Sequence, residues 1–137
     1  MDQNQAMDLL KAAPLFGGVS GKGLRAILTA ATERAFSVGE KMVGEGDQGV
    51  GFYLILEGSA DVLKGGSKVA HLETGAFFGE MAVLAGAPRN ADVVASEDTT
   101  CLILTPWAFK GLIASHPEVA MEMLQELARR LGESGTS

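Results

Sequence analysis

Glu80 and Arg89 stand nine residues apart in "FFGEMAVLAGAPRNADV", residues 77–93, where nearly every neighbour is small or apolar. Arg89 is the only arginine between Arg34 and Arg129. A guanidinium is a permanently charged, planar fork that matches the oxygens of a phosphate. A carboxylate cannot bind phosphate, but it accepts hydrogen bonds from a hydroxyl. Gly79 allows close backbone approach, and residues 80–85 can form a helical turn or two whose first N–H groups face an anion. The pair suits a ligand with one anionic oxygen cluster and one nearby hydroxyl, such as a sugar phosphate. A buried Arg–Glu salt bridge is the alternative that spacing alone leaves open.

Other residues that could do chemistry fall short of a constellation. His71, His116 and Cys101 have no metal-ligand spacing, so no metal is expected, and a metal-dependent jelly-roll enzyme lacks its histidine cluster. We read His71 as a strand-end surface residue and His116 as a helix-start residue. Ser59 and Ser67 are read as turn residues with no base nearby, which leaves nucleophilic catalysis without support. "EGDQG", residues 45–49, resembles a phosphate loop but contains Glu45 and Asp47, and is read as a turn. Trp107, beside Phe109 and Leu112, is read as core packing rather than as a base-stacking platform.

The elements that must position Glu80 and Arg89 follow from periodicity and punctuation. Met7 to Ala13 reads as a short helix closed by Pro14, and "PLFGGVS" as the turn after it. Ser20 caps a helix over Gly21–Thr32 with Leu24, Ile27 and Leu28 on one face. From Arg34 to Leu104 short apolar segments alternate with Gly39, Gly46, Gly58, Gly65, Gly66, Gly75 and Gly79, the texture of an all-β sandwich or barrel. "FYLILEG" reads as a buried strand turning at Gly58, and "SADVLKGGSKVAHL" as a hairpin with a Gly–Gly tip. Pro106 starts a helix with Trp107, Phe109, Leu112 and Ile113 facing the barrel. Pro117 and Glu118 start another, along which Ala120, Leu124, Leu127 and Leu131 form a narrow apolar seam. The tail "GESGTS" is polar and expected to fray. The expected organisation is one domain, 1–137, with helices in 1–33, a β-roll in 34–105 and helices in 106–132.

The whole chain sets broad limits. Its 137 residues can bury a real core, and 47% hydrophobic with 20% charged residues argues against disorder. A net charge of −6 without a basic block argues against duplex nucleic acid as a partner, and any anion must be held by local design. A single cysteine excludes an internal disulfide and fits a reducing compartment. "MDQNQAMDLL" has neither a basic nor an apolar leader region, and no apolar run reaches the roughly 18 residues of a membrane span. A cytoplasmic, soluble domain is expected, although the detached cytosolic part of a membrane protein would read the same.

The segment Phe78, Gly79, Glu80, Met81, Ala82, then Pro88, Arg89, Asn90, Ala91, Asp92, Val93 resembles the phosphate-binding cassette of cyclic nucleotide-binding domains, F-G-E-x-A-L-x-x-x-x-P-R-x-A-x-V. "PLFGGVSGKGL", "VGEKMVGEGDQGVGFYLILEGSADV" and "HPEVAMEMLQELARRL" are similar to that family's first helices, early strands and closing helices, so the likeness covers nearly the whole chain. It implies an α+β, mainly β fold: an eight-stranded β-roll of jelly-roll type with N-terminal helices and two C-terminal lid helices. It also implies a cyclic AMP site made by Phe78, Gly79, Glu80, Met81, Ala82, Arg89, Asn90, Ala91 and Val93. In that site Arg89 pairs with the cyclic phosphate and Glu80 accepts the ribose 2′-hydroxyl. The lid candidates are Leu127, Arg130 and Leu131.

The resemblance further implies a regulatory module that prefers cyclic AMP to cyclic GMP, with no catalysis and no cofactor. Its output would pass to an unidentified protein effector or attached domain. Only six residues follow Leu131, so no DNA-binding helix-turn-helix is expected here. The C-terminal seam could instead pair with a second chain. Two positions depart from the pattern: Asn90, where Ala, Ser or Thr is common, and Asp92, where Thr or Ser is common. Alternation from Arg89 puts Asp92 on the outer face. The alternative function is a scaffold of the same fold that has lost its nucleotide.

Overall fold

The structure, a computed structural model, describes residues 3–47, 51–79 and 90–133. In chain order these form α1 (Gln3–Ala12), a 3-10 turn (Pro14–Phe16), α2 (Gly21–Ala30), β1 (Thr32–Phe36), β2 (Lys41–Val43), β3 (Phe52–Glu57), β4 (Ser59–Lys64), β5 (Ser67–Glu73), β6 (Phe77–Phe78), β7 (Asp92–Ala95), β8 (Thr99–Leu104), α3 (Pro106–Ser115) and α4 (Pro117–Glu133).

The strands make two antiparallel four-stranded sheets, ordered β1-β8-β3-β6 and β2-β7-β4-β5. Strand β3 shows how they stack. Its side chains alternate between faces, yet Phe52 to Leu56 are all buried. Phe52, Leu54 and Leu56 join a core shared with the helices, while Tyr53 and Ile55 join a second core between the sheets. In β8, Leu102 and Leu104 face the helices, and Cys101 and Ile103 face inward. A strand covered on both faces loses the polar alternation of a half-exposed one, so "FYLIL" reads as one apolar run. The β2-β7-β4-β5 sheet is covered on one side only, and β5 is almost wholly exposed. This is the β-roll, flanked by helices on the outer face of its first sheet.

Local chemistry closes the elements where expected. Ser20 Oγ accepts the Gly23 N–H at 3.2 Å, and Thr105 Oγ1 accepts the Ala108 N–H at 3.2 Å. Helix α2 stops at Ala30, short of Thr32, because Ala31 turns extended with ψ 161° and Thr32 enters β1. The hairpin β4–β5 turns on Gly65 and Gly66, with φ of 57° and 82°, as a two-residue loop between right-twisted strands requires. Gly58 has φ 105°, and a Cβ there would sit 2.4 Å from Thr99 Oγ1 and 2.7 Å from the Asp98 carbonyl oxygen. The β3–β4 corner is therefore a glycine position on two independent grounds.

Three expectations are corrected. Trp107 is not core but 71% exposed, while Phe109 and Leu112 are buried. At 100° per residue Trp107 and Phe109 lie about 200° apart around α3, so adjacency in sequence puts them on opposite faces. The buried stripe of α4 is Val119 and Met123, with Leu127 at its edge, whereas Leu124 and Leu131 are 60% and 59% exposed. The apolar seam thus lies one residue round from the face that packs, and α4 runs on to Glu133, into the tail expected to fray. Ser59 and Ser67 begin strands β4 and β5 rather than occupying turns, and Ser59 is buried.

Candidate functional site

The roll interior has an apolar wall that is only half closed. Val62, Leu72, Ala76 and Phe78 are partly buried and pack against the inner core. Val62 on β4 stands opposite Val93 on β7, which is 4% exposed. Phe78 stacks on Tyr53 with ring centroids 4.8 Å apart and planes at 18°. Its neighbour Phe77 points the other way and stacks on Phe52 at 5.9 Å, and Phe52 meets Phe16 edge-on at 5.2 Å. The two rings of β6 therefore touch different cores, one inside the roll and one beneath the helices.

The flanks of the cassette sit on different sheets. Gly79, at φ 87°, ends β6 at the edge of the first sheet. Asn90 is exposed, Ala91 is 6% exposed, and Asp92–Ala95 form β7 inside the second sheet. Along β7, Val93 and Ala95 point into the roll, while Asp92 lies on the outer face. There Asp92 accepts the Glu45 N–H at 2.6 Å and meets Lys41 Nζ at 3.7 Å, which keeps its charge away from the interior. Glu80, Met81, Ala82 and Arg89, with the helical turn expected after Glu80, lie outside the described residues.

The described wall carries no charge. Among the described residues the buried polar ones are Ser59 and Thr99, and no Lys, Arg, Asp, Glu or His is buried. Cys101 is buried in the inner core, and desolvation pushes its thiol up to about 12, so it is neutral there. Such a wall can cover the apolar faces of a base and sugar. Charge complementary to a phosphate has to come from elsewhere, and Arg89 is the arginine in the connecting sequence.

The remaining polar residues belong to other places. Ser59 Oγ lies 2.6 Å from Ser96 Oγ and donates to Glu97 Oε2 at 2.7 Å, while Thr99 Oγ1 donates to the Ser59 carbonyl at 2.9 Å. A carboxylate does adjoin Ser59, but the network pins the β3–β4 corner to the β7–β8 corner, and neither histidine joins it. His71 is on the surface, its Nδ1 2.7 Å from Asp61 Oδ1, and Lys68 Nζ is 3.3 Å from the same oxygen. The hydrogen bond from His71, with help from Lys68, holds the Asp61 carboxyl below its ordinary value. His116 joins α3 to α4, its N–H bonded to the Leu112 carbonyl and its carbonyl accepting from Val119. Among the described residues no group of three His, Cys, Asp or Glu side chains could hold a metal ion. In "EGDQG", of which Gln48 and Gly49 lie outside the described residues, Asp47 accepts the Gly44 N–H at 2.9 Å through its carboxylate.

The lid candidates stand apart from the inner wall. Leu127 packs at the edge of the helical core, Arg130 bonds to Glu126 at 3.2 Å, and Leu131 is exposed. Glu126 also accepts from Arg129 at 2.7 Å, which holds its carboxyl below the usual range. The wall residues Val62, Leu72 and Ala76 were not singled out from sequence. Their signal was the alternation of Ala60, Asp61, Val62 in one arm of the hairpin, which marks Val62 as inward.

Comparison with known proteins adds to this geometry. Residues 33–116 match the family model described as the cyclic nucleotide-binding domain. The chain is 36% identical over 113 residues to the cAMP-dependent protein kinase regulatory subunit of Eremothecium gossypii, covering 82% of this chain and 25% of that protein. It is 34% identical over 130 residues to the cyclic AMP receptor protein of Thermus thermophilus, covering 91% of this chain and 60% of that one. The N-terminal domain of a transcriptional regulator from Streptomyces coelicolor superposes with a TM-score of 0.86 at 24% identity, covering 93% and 94% of the two chains, a likeness of fold. The chain thus spans a quarter to three-fifths of the length of these two curated relatives.

Proposed function

Because the chain belongs to the cyclic nucleotide-binding domain family, we propose that it is a sensing module that binds cyclic AMP in preference to cyclic GMP and moves its C-terminal helices on binding. In this reading residues 1–137 act as one regulatory unit in the cytoplasm, without catalysis. Among the described residues no helix is long and apolar enough to cross a membrane. The observation that carries the proposal is the half-open apolar wall of Val62, Leu72, Ala76 and Phe78, with Gly79 and Asn90 flanking Glu80–Arg89 on separate sheets.

The chemistry is simple. A cyclic phosphate carries one negative charge, which the Arg89 fork neutralises with two parallel hydrogen bonds. The one free ribose hydroxyl donates to Glu80. Gly79, Met81, Ala82 and the backbone of Asn90 and Ala91 complete the contact, and Phe78 and Val93 form the apolar wall. Any pull on Gly79 acts on β6, whose Phe77 rests on Phe52 and, through it, on Phe16 in the helical core. That contact gives the helices a mechanical link to ligand, and α3 and α4 respond, with Leu127, Arg130 and Leu131 closing over the base. The effector is a protein or attached domain that reads this shift.

The rival reading, a nucleotide-free scaffold, drew on Asp92, and its engagement by Lys41 and the Glu45 amide leaves that reading without a specific support. Calorimetry with both nucleotides is the test. Cyclic AMP should bind about tenfold more tightly, since a guanine amino group left without a partner costs roughly 1–3 kcal/mol. Equal affinities would remove the preference, and no heat with either nucleotide would favour the scaffold.

A further inference from the structure

The helices flanking the roll form an open concavity of their own. A cleft of about 550 Å³ lies between α2 and α3, within the roughly 300–1,000 Å³ usual for small-ligand sites. A Cβ on Gly23 would lie 3.2 Å from Val119, so the start of α2 adjoins the start of α4, which His116 directly precedes. The two walls therefore run in opposite senses. Lys22 and Arg25 share one end of the cleft with Ser115 and His116, and Ala30 and Ala108 share the other. Ala26 and Gly111 keep the floor between them shallow and apolar.

Among the described residues the cationic end is exposed and unpaired, and no carboxylate lines the cleft, although the chain carries a net charge of −6. Among the described residues neither Lys22 nor Arg25 has an ion-pair partner. His116 lines this end, but its Nδ1 is buried and so lies out of reach of a ligand in the cleft. Glu122, whose Oε1 is likewise buried and unpartnered, adjoins Gly23 on the next face of α2 and does not line the cleft.

We propose that this cleft is a second ligand site, for a small organic anion. Its phosphate or carboxylate head meets Lys22 and Arg25, and its narrow apolar body lies along Ala26, Gly111, Ala30 and Ala108. The site does not depend on cyclic nucleotide binding at the cassette.

An NMR titration of the full chain with phenyl phosphate tests it. The expected result is saturable shifts of the Ala30, Gly111, Ser115 and His116 amides, with benzyl alcohol, the neutral analogue, producing none. The exposed pair Lys22→Ala/Arg25→Ala should leave the rest of the spectrum in place and weaken phenyl phosphate by at least about tenfold. Shifts confined to Gly79, Asn90 and Ala91 would assign the anion to the cassette and overturn the proposal. So would unchanged affinity in the double variant, equal binding of benzyl alcohol, or no binding in the millimolar range.

Discussion

The adjacent rings Phe77 and Phe78 offer a sharp test of how the roll is wired. Both are half-buried and each stacks on one aromatic partner, but Phe77 rests on Phe52 beneath the helices and Phe78 on Tyr53 inside the roll. Truncating a fully buried Phe to Ala costs about 3–5 kcal/mol. Incomplete burial scales this to about 3 kcal/mol, a figure that includes the aromatic pair's roughly 0.5–1.5 kcal/mol. Phe77→Ala and Phe78→Ala should therefore destabilise alike, each lowering the melting temperature by about 10 °C for a chain of this length. Their effects on ligand should differ. If a nucleotide covers roughly 50 Å² of the Phe78 ring, its loss costs about 1.2 kcal/mol, close to tenfold in affinity. Phe77 packs against the helical core rather than the inner one, so its loss should change cyclic AMP affinity only through the helix link, by less than about threefold. Urea denaturation and calorimetry on both variants give the four numbers. Equal losses of affinity, or a Phe78→Ala protein that binds as tightly as the parent, would refute the assignment of the two rings to separate faces.

Arg89→Ala should weaken cyclic AMP by about 10- to 150-fold in calorimetry, the worth of a charge-assisted contact, and Arg89→Lys should recover only part because it loses the fork. Gly58→Ala should lose about 3 kcal/mol in urea denaturation, from a left-handed φ and the close approach to Thr99 Oγ1; a loss under about 1 kcal/mol would show that the corner relaxes. The Cys101 thiol, raised to about 12 by burial, stays protonated in the folded state while the unfolded thiol ionises near 9.0. The unfolded state then binds fewer protons, so stability falls as pH rises from about 9 toward 12. At pH 10.5 the parent should have lost about 2 kcal/mol more than Cys101→Val, measured against each protein at pH 8; parallel pH profiles would mean that the thiol is solvated.

Much of this architecture was legible because punctuation is local chemistry. Every glycine read as a strand break, from Gly39 to Gly79, has a positive φ, and Ser20 and Pro106 sit at the helix starts they signalled. The cassette is a reading of another kind, a rare charged pair in an apolar run whose pattern resembles a family's, and Glu80 and Arg89 lie outside the described residues. What stayed hidden depends on which face of an element meets which neighbour. Trp107 looked like core because it stands two residues from Phe109, yet helical geometry turns it to solvent. The seam of α4 was displaced by one residue because Ala120, Leu124, Leu127 and Leu131 are regularly spaced, while Val119 and Met123 are the residues that meet the helical core. Ser59 could not be tied to Glu97 and Thr99, since that network joins corners about forty residues apart.

The same dependence on neighbours bears on function. Position 92 looked hazardous in sequence, because a carboxylate beside a phosphate site opposes binding. Strand alternation turned it outward, and Lys41 and the Glu45 amide then hold it there. A departure from a family's pattern is thus judged by the face it occupies, not by its charge. Asn90 poses the converse problem: it is exposed and adjoins Arg89 in sequence, where a side chain could still meet the base. Replacing it with Thr adds a hydroxyl able to bond a guanine amino group, so Asn90→Thr should narrow the proposed preference for cyclic AMP of roughly tenfold, within the roughly 1–3 kcal/mol that one such bond is worth. Competition of both nucleotides against a fluorescent cyclic AMP analogue measures the ratio. An unchanged ratio would mean that position 90 does not meet the base, and that selectivity arises elsewhere in the wall.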